Sequence, residues 1–83
     1  MPSRPRDERP ATYDAEIAAL GARVRKIRLI RGWTLEVAAE RTGVDWNHLQ
    51  KIEVAQLNPT IMTIARIAEG YQVPLWVLFR GPT

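Results

Sequence analysis

Eighty-three residues with no cysteine fit one domain without a separate catalytic module, and rule out disulfides, thiolate metal sites and a cysteine nucleophile. No leader peptide is legible, and the longest apolar stretch, Val73 to Phe79, is too short to cross a bilayer and holds a proline, so a soluble cytoplasmic protein is expected. The net charge is only +3, and how that charge is distributed carries more information than its size.

Residues 1–12 hold Pro2, Pro5 and Pro10, a spacing that prevents a helix, and they are expected to form a basic, flexible tail ahead of a domain at 13–83. From Asp14 onward Ile17, Leu20, Val24 and Ile27 recur at helical spacing, which predicts a first helix ending at Gly32. Along it lie Arg23, Arg25, Lys26, Arg28 and Arg31 with no acid among them. Such a run points either to a polyanion partner or to a solvated helix face, and charge alone leaves both open. Thr34 reads as the N-cap of a second helix, Leu35 to Thr42, which Gly43 closes. Asp45 then caps a third helix reaching about Val54, with Leu49 and Ile52 inward.

So short a connection between two short helices is a helix-turn-helix signature, and it leaves the second of them projecting. Asn58-Pro59-Thr60 is a turn and cap. After it Ile61, Ile64, Ile67 and Ala68 predict the buried stripe of a fourth helix. Val73-Pro74 breaks that helix, and Pro74 opens a fifth through Phe79. No strand-like alternation appears, so the expected architecture is a compact, all-α, five-helix domain.

The run Leu20 to Phe79 resembles, without a gap, the Cro/phage-repressor family of helix-turn-helix domains, also called Xre-like. The resemblance is carried by Gly21-Ala22-Arg23-Val24-Arg25-Lys26-Ile27-Arg28, Arg31-Gly32, Ala39-Glu40-Arg41-Thr42-Gly43-Val44 and Leu49. It continues through Lys51-Ile52-Glu53, Asn58-Pro59-Thr60, Ile67-Ala68-Glu69 and Val73-Pro74-Leu75. Ala39 then sits where the two motif helices cross. The resemblance implies a structural ion pair between Arg28 and Glu53, and makes the third helix the one that enters a major groove. Trp46, Asn47, Gln50 and Lys51 are its candidate base contacts: Asn and Gln match adenine N6 and N7, and Lys matches guanine O6 and N7.

Trp46 departs from the polar residue usual there; it would either touch a sugar or a thymine methyl or fold back onto Leu35. Phosphate contacts are expected from the amides at Thr34 and Leu35, from Arg31, Arg41 and His48, and from Gln56, Asn58 and Thr60 around the fourth-helix start. Arg4, Arg6 and Arg9 of the tail add either minor-groove contacts or nonspecific attraction.

Other departures bear on affinity rather than fold. Leu35 replaces a glutamine that would bond phosphate, and Asp45 places a negative charge near the backbone. Ala38 and Trp33 exchange bulk across the core. Ala55 replaces a glycine, so the third helix either runs on or ends in a strained turn. Met62, Ala65, Trp76 and Val77 add apolar surface on the fourth and fifth helices, where the resemblance implies a homodimer interface; extra packing within the protomer is the other use for them.

The function expected is a dimeric transcriptional regulator on an inverted-repeat operator in double-stranded DNA. The alternative is an interaction module of the same fold, antitoxin or antiactivator, that binds a partner protein and DNA weakly or not at all. No triad, phosphate loop, acid–base pair or metal set is legible and His48 is the lone histidine, so no enzyme, cofactor or metal is expected.

Overall fold

The computed structural model describes residues 11–80, and these form five helices and no strand: α1 (Ala11–Ile30), α2 (Leu35–Thr42), α3 (Trp46–Glu53), α4 (Ile61–Tyr71) and α5 (Leu75–Arg80). The expected tail, with Arg4, Arg6 and Arg9, falls outside the described residues apart from 11 and 12, which α1 takes in. Tyr13 to Glu16 are exposed, so this helix runs beyond its buried stripe into solvent, and apolar periodicity has nothing to register there.

Local chemistry sets the other boundaries. Thr34 accepts a hydrogen bond from the Val37 amide (3.2 Å), Asp45 from Asn47 (3.0 Å) and His48 (3.3 Å), and Thr60 from Thr63 (3.1 Å). Each satisfies amides that a helix start leaves without carbonyls. Gly32 (φ 71°) and Gly43 (φ 73°) close α1 and α2 in the left-handed region. The third helix does not run on: Ala55 sits at φ 61°, a conformation that crowds its methyl group, so the turn after α3 is the strained one.

Val24, Leu49, Ile52, Ile67, Tyr71 and Leu78 form the fully enclosed centre. Ala38 is completely covered and Ala39 half-buried beside it, so the helix crossing expected at Ala39 is shared between the two small residues. Ile61 corrects the sequence reading: it is 65% exposed. The inward row of α4 is Ile64, Ile67, Ala68 and Tyr71, at i, i+3, i+4 and i+7, and Ile61 extends past the end of the core.

Two backbone approaches escaped the sequence reading. A Cβ on Gly21 would lie 2.2 Å from the Ile52 carbonyl oxygen, and one on Gly70 would lie 2.4 Å from the Arg41 oxygen. Glycine therefore lets α1 touch the end of α3, and α4 touch the end of α2.

Tyr71, from α4, meets Trp33 edge to face, with centroids 5.6 Å apart. Its hydroxyl finds no hydrogen-bond partner among the described residues. Burial, with Glu53 nearby, pushes its pKa from 10.0 up to about 12. The folded-state value is raised, so this group's contribution is complete below pH 10 and is lost as pH rises through 12. Tyr71→Phe is accordingly expected to gain about 1 kcal/mol at neutral pH by removing an unpaired polar group. It should also flatten the alkaline loss in urea melts. An unchanged alkaline limb would place that loss elsewhere.

Candidate functional site

A rotation of about 100° per residue divides α3 into two faces. Leu49 and Ile52 are buried, while Trp46, Asn47, Gln50, Lys51 and Val54 are all exposed. The outward arc therefore carries two amides and an ammonium side by side, with Trp46 at its leading end. These are groups that can form hydrogen bonds with base edges in a major groove. Trp46 is 47% exposed, so it offers part of its ring to solvent while the rest is covered, and both of its readings stay open.

The Arg28–Glu53 pair positions this helix. Arg28 Nε donates to Glu53 Oε2 at 2.7 Å and its Nη2 to Oε1 at 2.9 Å, while Nη1 donates to the Trp33 carbonyl at 2.9 Å. Both side chains are nearly enclosed, at 11% and 4% exposure. The Glu53 hydrogen bond raises the Arg28 pKa further above its high ordinary value, against the opposing pull of burial. A two-pronged bond of this kind fixes the roll of α3 against α1 as well as its distance.

The basic run at 23–31 holds the ion pair expected of Arg28 and adds a use beside the two that its charge left open. Arg23 donates to the carbonyls of Leu78 (3.1 Å) and Phe79 (2.6 Å), near the C-terminal end of α5. Arg31 donates through Nε (3.0 Å) and Nη2 to the Tyr71 carbonyl at the end of α4. Its guanidinium also lies 5.7 Å from the Trp33 ring centre, with Arg41 at 5.2 Å from the same ring. Of the five cations, Arg23, Arg28 and Arg31 thus cap or pair inside the protein, where they balance helix C-terminal carbonyls and a carboxylate. Arg25 and Lys26 face outward. Arg31 is correspondingly a structural cap here, with its Nε and one Nη engaged by the protein.

The remaining phosphate candidates differ in exposure. Thr34, Gln56, Asn58, Thr60 and Arg41 are exposed, and His48 is half-buried. Leu35 packs against the core, so its contribution is limited to its backbone amide. Asn58 lines a hollow with Arg23, Ile61 and Phe79.

On α4 and α5 Met62 (66%) and Trp76 (52%) are exposed, and so is Ala65. Val77 departs from the expectation: it is 8% exposed and lines a groove with Ile27, Ile30 and Val73, so it packs within the protomer. Ile61 (65%), Leu75 (39%) and Phe79 (39%) are further exposed apolar side chains on the same two helices. Sequence reasoning missed them because periodicity had placed Ile61 inside and left α5 too short to resolve its faces.

A helix-turn-helix domain model matches residues 19–75. The chain is 36% identical over 63 residues, 76% of its length, to the HTH-type transcriptional regulator SutR of Escherichia coli (strain K12). It spans only 35% of that regulator. Among solved structures it resembles the restriction-modification controller protein C.AhdI from Aeromonas hydrophila with a TM-score of 0.75 and 26% identity, over 78% of this chain and 98% of that one. It also resembles an HTH_3 family transcriptional regulator from Vibrio cholerae, with a TM-score of 0.78 and 28% identity, over 83% of this chain and 39% of the other.

Proposed function

Because the chain belongs to the Xre-like family of helix-turn-helix domains, we propose that it is a cytoplasmic transcriptional regulator, not an enzyme, that inserts α3 into the major groove of an operator. The observation that carries this is the exposed row Asn47, Gln50 and Lys51 on a helix anchored from behind by Leu49, Ile52 and Glu53. Asn47 and Gln50 suit adenine and Lys51 suits guanine, with Trp46 beside them. Thr34, Arg41, Gln56, Asn58 and Thr60 are the backbone-contacting set that supports them. The likeness to a restriction-modification controller over nearly that protein's whole length supports a role of the controller type.

The test is a mobility shift at several salt concentrations, using DNA upstream of the protein's own gene and random duplex. Selective retention of the upstream fragment is expected. Equal, weak binding to both sinks this reading and favours the interaction module, for which Leu35, Asp45 and Trp46 are the supporting departures. Within that assay Lys51→Ala is expected to lose about 1–3 kcal/mol on the operator and little on random DNA. Equal losses on both would assign Lys51 to phosphate.

The homodimer belongs to the same proposal. The apolar face of Ile61, Met62, Leu75, Trp76 and Phe79 is the kind of patch that an interface covers. Pairing there would set two copies of α3 about one helical turn (roughly 34 Å) apart on an inverted repeat. Trp76→Glu is expected to halve the mass seen in sedimentation. A profile identical to that of the unaltered protein would refute this interface.

A further inference from the structure

We infer that Trp46 reads the C5-methyl group of a pyrimidine in the major groove, and so sets specificity at one operator position. This rests on the groove-binding reading of α3 and adds to it a ligand chemistry that the amides and the ammonium do not supply.

Three observations converge on it. Trp46 is the first residue of α3 and keeps 47% of its surface exposed. Its indole takes part in no hydrogen bond or ring pair among the described residues. Trp33, by contrast, has two guanidinium groups within 5.7 Å of its ring centre and packs against Tyr71.

The second observation is angular. On a helix Trp46 and Gln50 stand four residues apart, about 40° around the axis, and so share one edge of the outward face. A Gln50 amide bonded to adenine N6 and N7 brings that edge to an A·T pair, whose pyrimidine partner carries a methyl group in the same groove.

The third is electrostatic. The Asp45 carboxylate occupies the N-terminal end of α3, where it accepts from the Asn47 and His48 amides. Those amides are therefore spent, and the carboxylate's charge repels phosphate oxygens. The end that carries Trp46 is thus suited to base edges rather than to the backbone, and a methyl group is the apolar feature which pyrimidine edges offer there.

The methyl group comes from thymine or from 5-methylcytosine, and one experiment separates the two. A binding sequence is first enriched from randomised duplex with the full chain. Each thymine is then replaced by deoxyuridine, which removes only the methyl, and affinity is read by fluorescence anisotropy. At one thymine per half-site the unaltered protein should lose about fourfold, the worth of one buried methyl group. Trp46→Ala, checked for folding by circular dichroism, should show no loss there.

Cytosine and 5-methylcytosine are then compared at the same position. Tighter binding to the methylated base shows that the methyl is read whatever base carries it; equal binding confines the reading to thymine. Deoxyuridine tolerated at every thymine overturns the inference, as does a methyl effect that persists in Trp46→Ala. Failure to enrich any sequence instead overturns the groove-binding reading on which it rests.

Discussion

Glu53→Ala is expected to cost about 3–5 kcal/mol of folding stability, because it leaves the Arg28 guanidinium enclosed without its carboxylate. A domain of this length has about 4–12 kcal/mol in all, so the variant should melt far earlier or not fold. The physical cause is specific. Arg28 keeps its bond to the Trp33 carbonyl but loses both contacts to Glu53, and a charged group 11% exposed cannot recover them from water.

Two further variants isolate that cause. Glu53→Gln keeps an acceptor in place and should lose less. Replacing both partners by apolar residues of similar size, Arg28→Met with Glu53→Leu, should recover most of the loss, since no charge is then stranded. A Glu53→Ala variant that loses under about 1 kcal/mol in urea unfolding would show that the pair behaves as a surface ion pair.

Gly70→Ala is the second large effect, and its sign opposes helix propensity. Inside a helix this change ordinarily gains about 1 kcal/mol. Here the new methyl would meet the Arg41 oxygen at 2.4 Å and Thr42 Cα at 2.7 Å. Both are backbone, so no side chain can swing aside, and α4 must move off α2. A loss of about 3 kcal/mol is expected, the upper end for one methyl group forced into a packed interior. It should be read from the urea midpoint at unchanged slope. A stabilised Gly70→Ala would mean that the two helices separate at little cost.

How far the fold was legible in the chain depended on how local the controlling chemistry is. Thr34, Asp45 and Thr60 act on amides two or three residues away, and Gly32 and Gly43 act on their own φ angles. Sequence reading placed these boundaries to within a residue or two. The projecting face of α3 was legible for the same reason, since rotation about one short axis separates Leu49 and Ile52 from Asn47, Gln50 and Lys51.

What stayed hidden was long-range. Gly21 and Gly70 look like weak points of a helix until the facing backbone is known. Tyr71 was overlooked because a polar hydroxyl disguised a core position. The roles of Arg23 and Arg31 stayed open because charge in a sequence shows no partner. Their partners are carbonyls 40 to 56 residues away, and the carboxylate that Arg28 meets is 25 residues away.

The contact at Gly21 also has a consequence for the duplex. With the Ile52 oxygen 2.2 Å from where a Cβ on Gly21 would stand, α3 has no slack against the longest helix of the chain. On the proposed groove-binding reading, a helix so closely held presents one fixed contour, and any mismatch in curvature has to be absorbed by the DNA. The energy of that bending differs between supple pyrimidine–purine steps and rigid A-tracts. Base pairs untouched by any side chain would then enter the choice of operator through their flexibility.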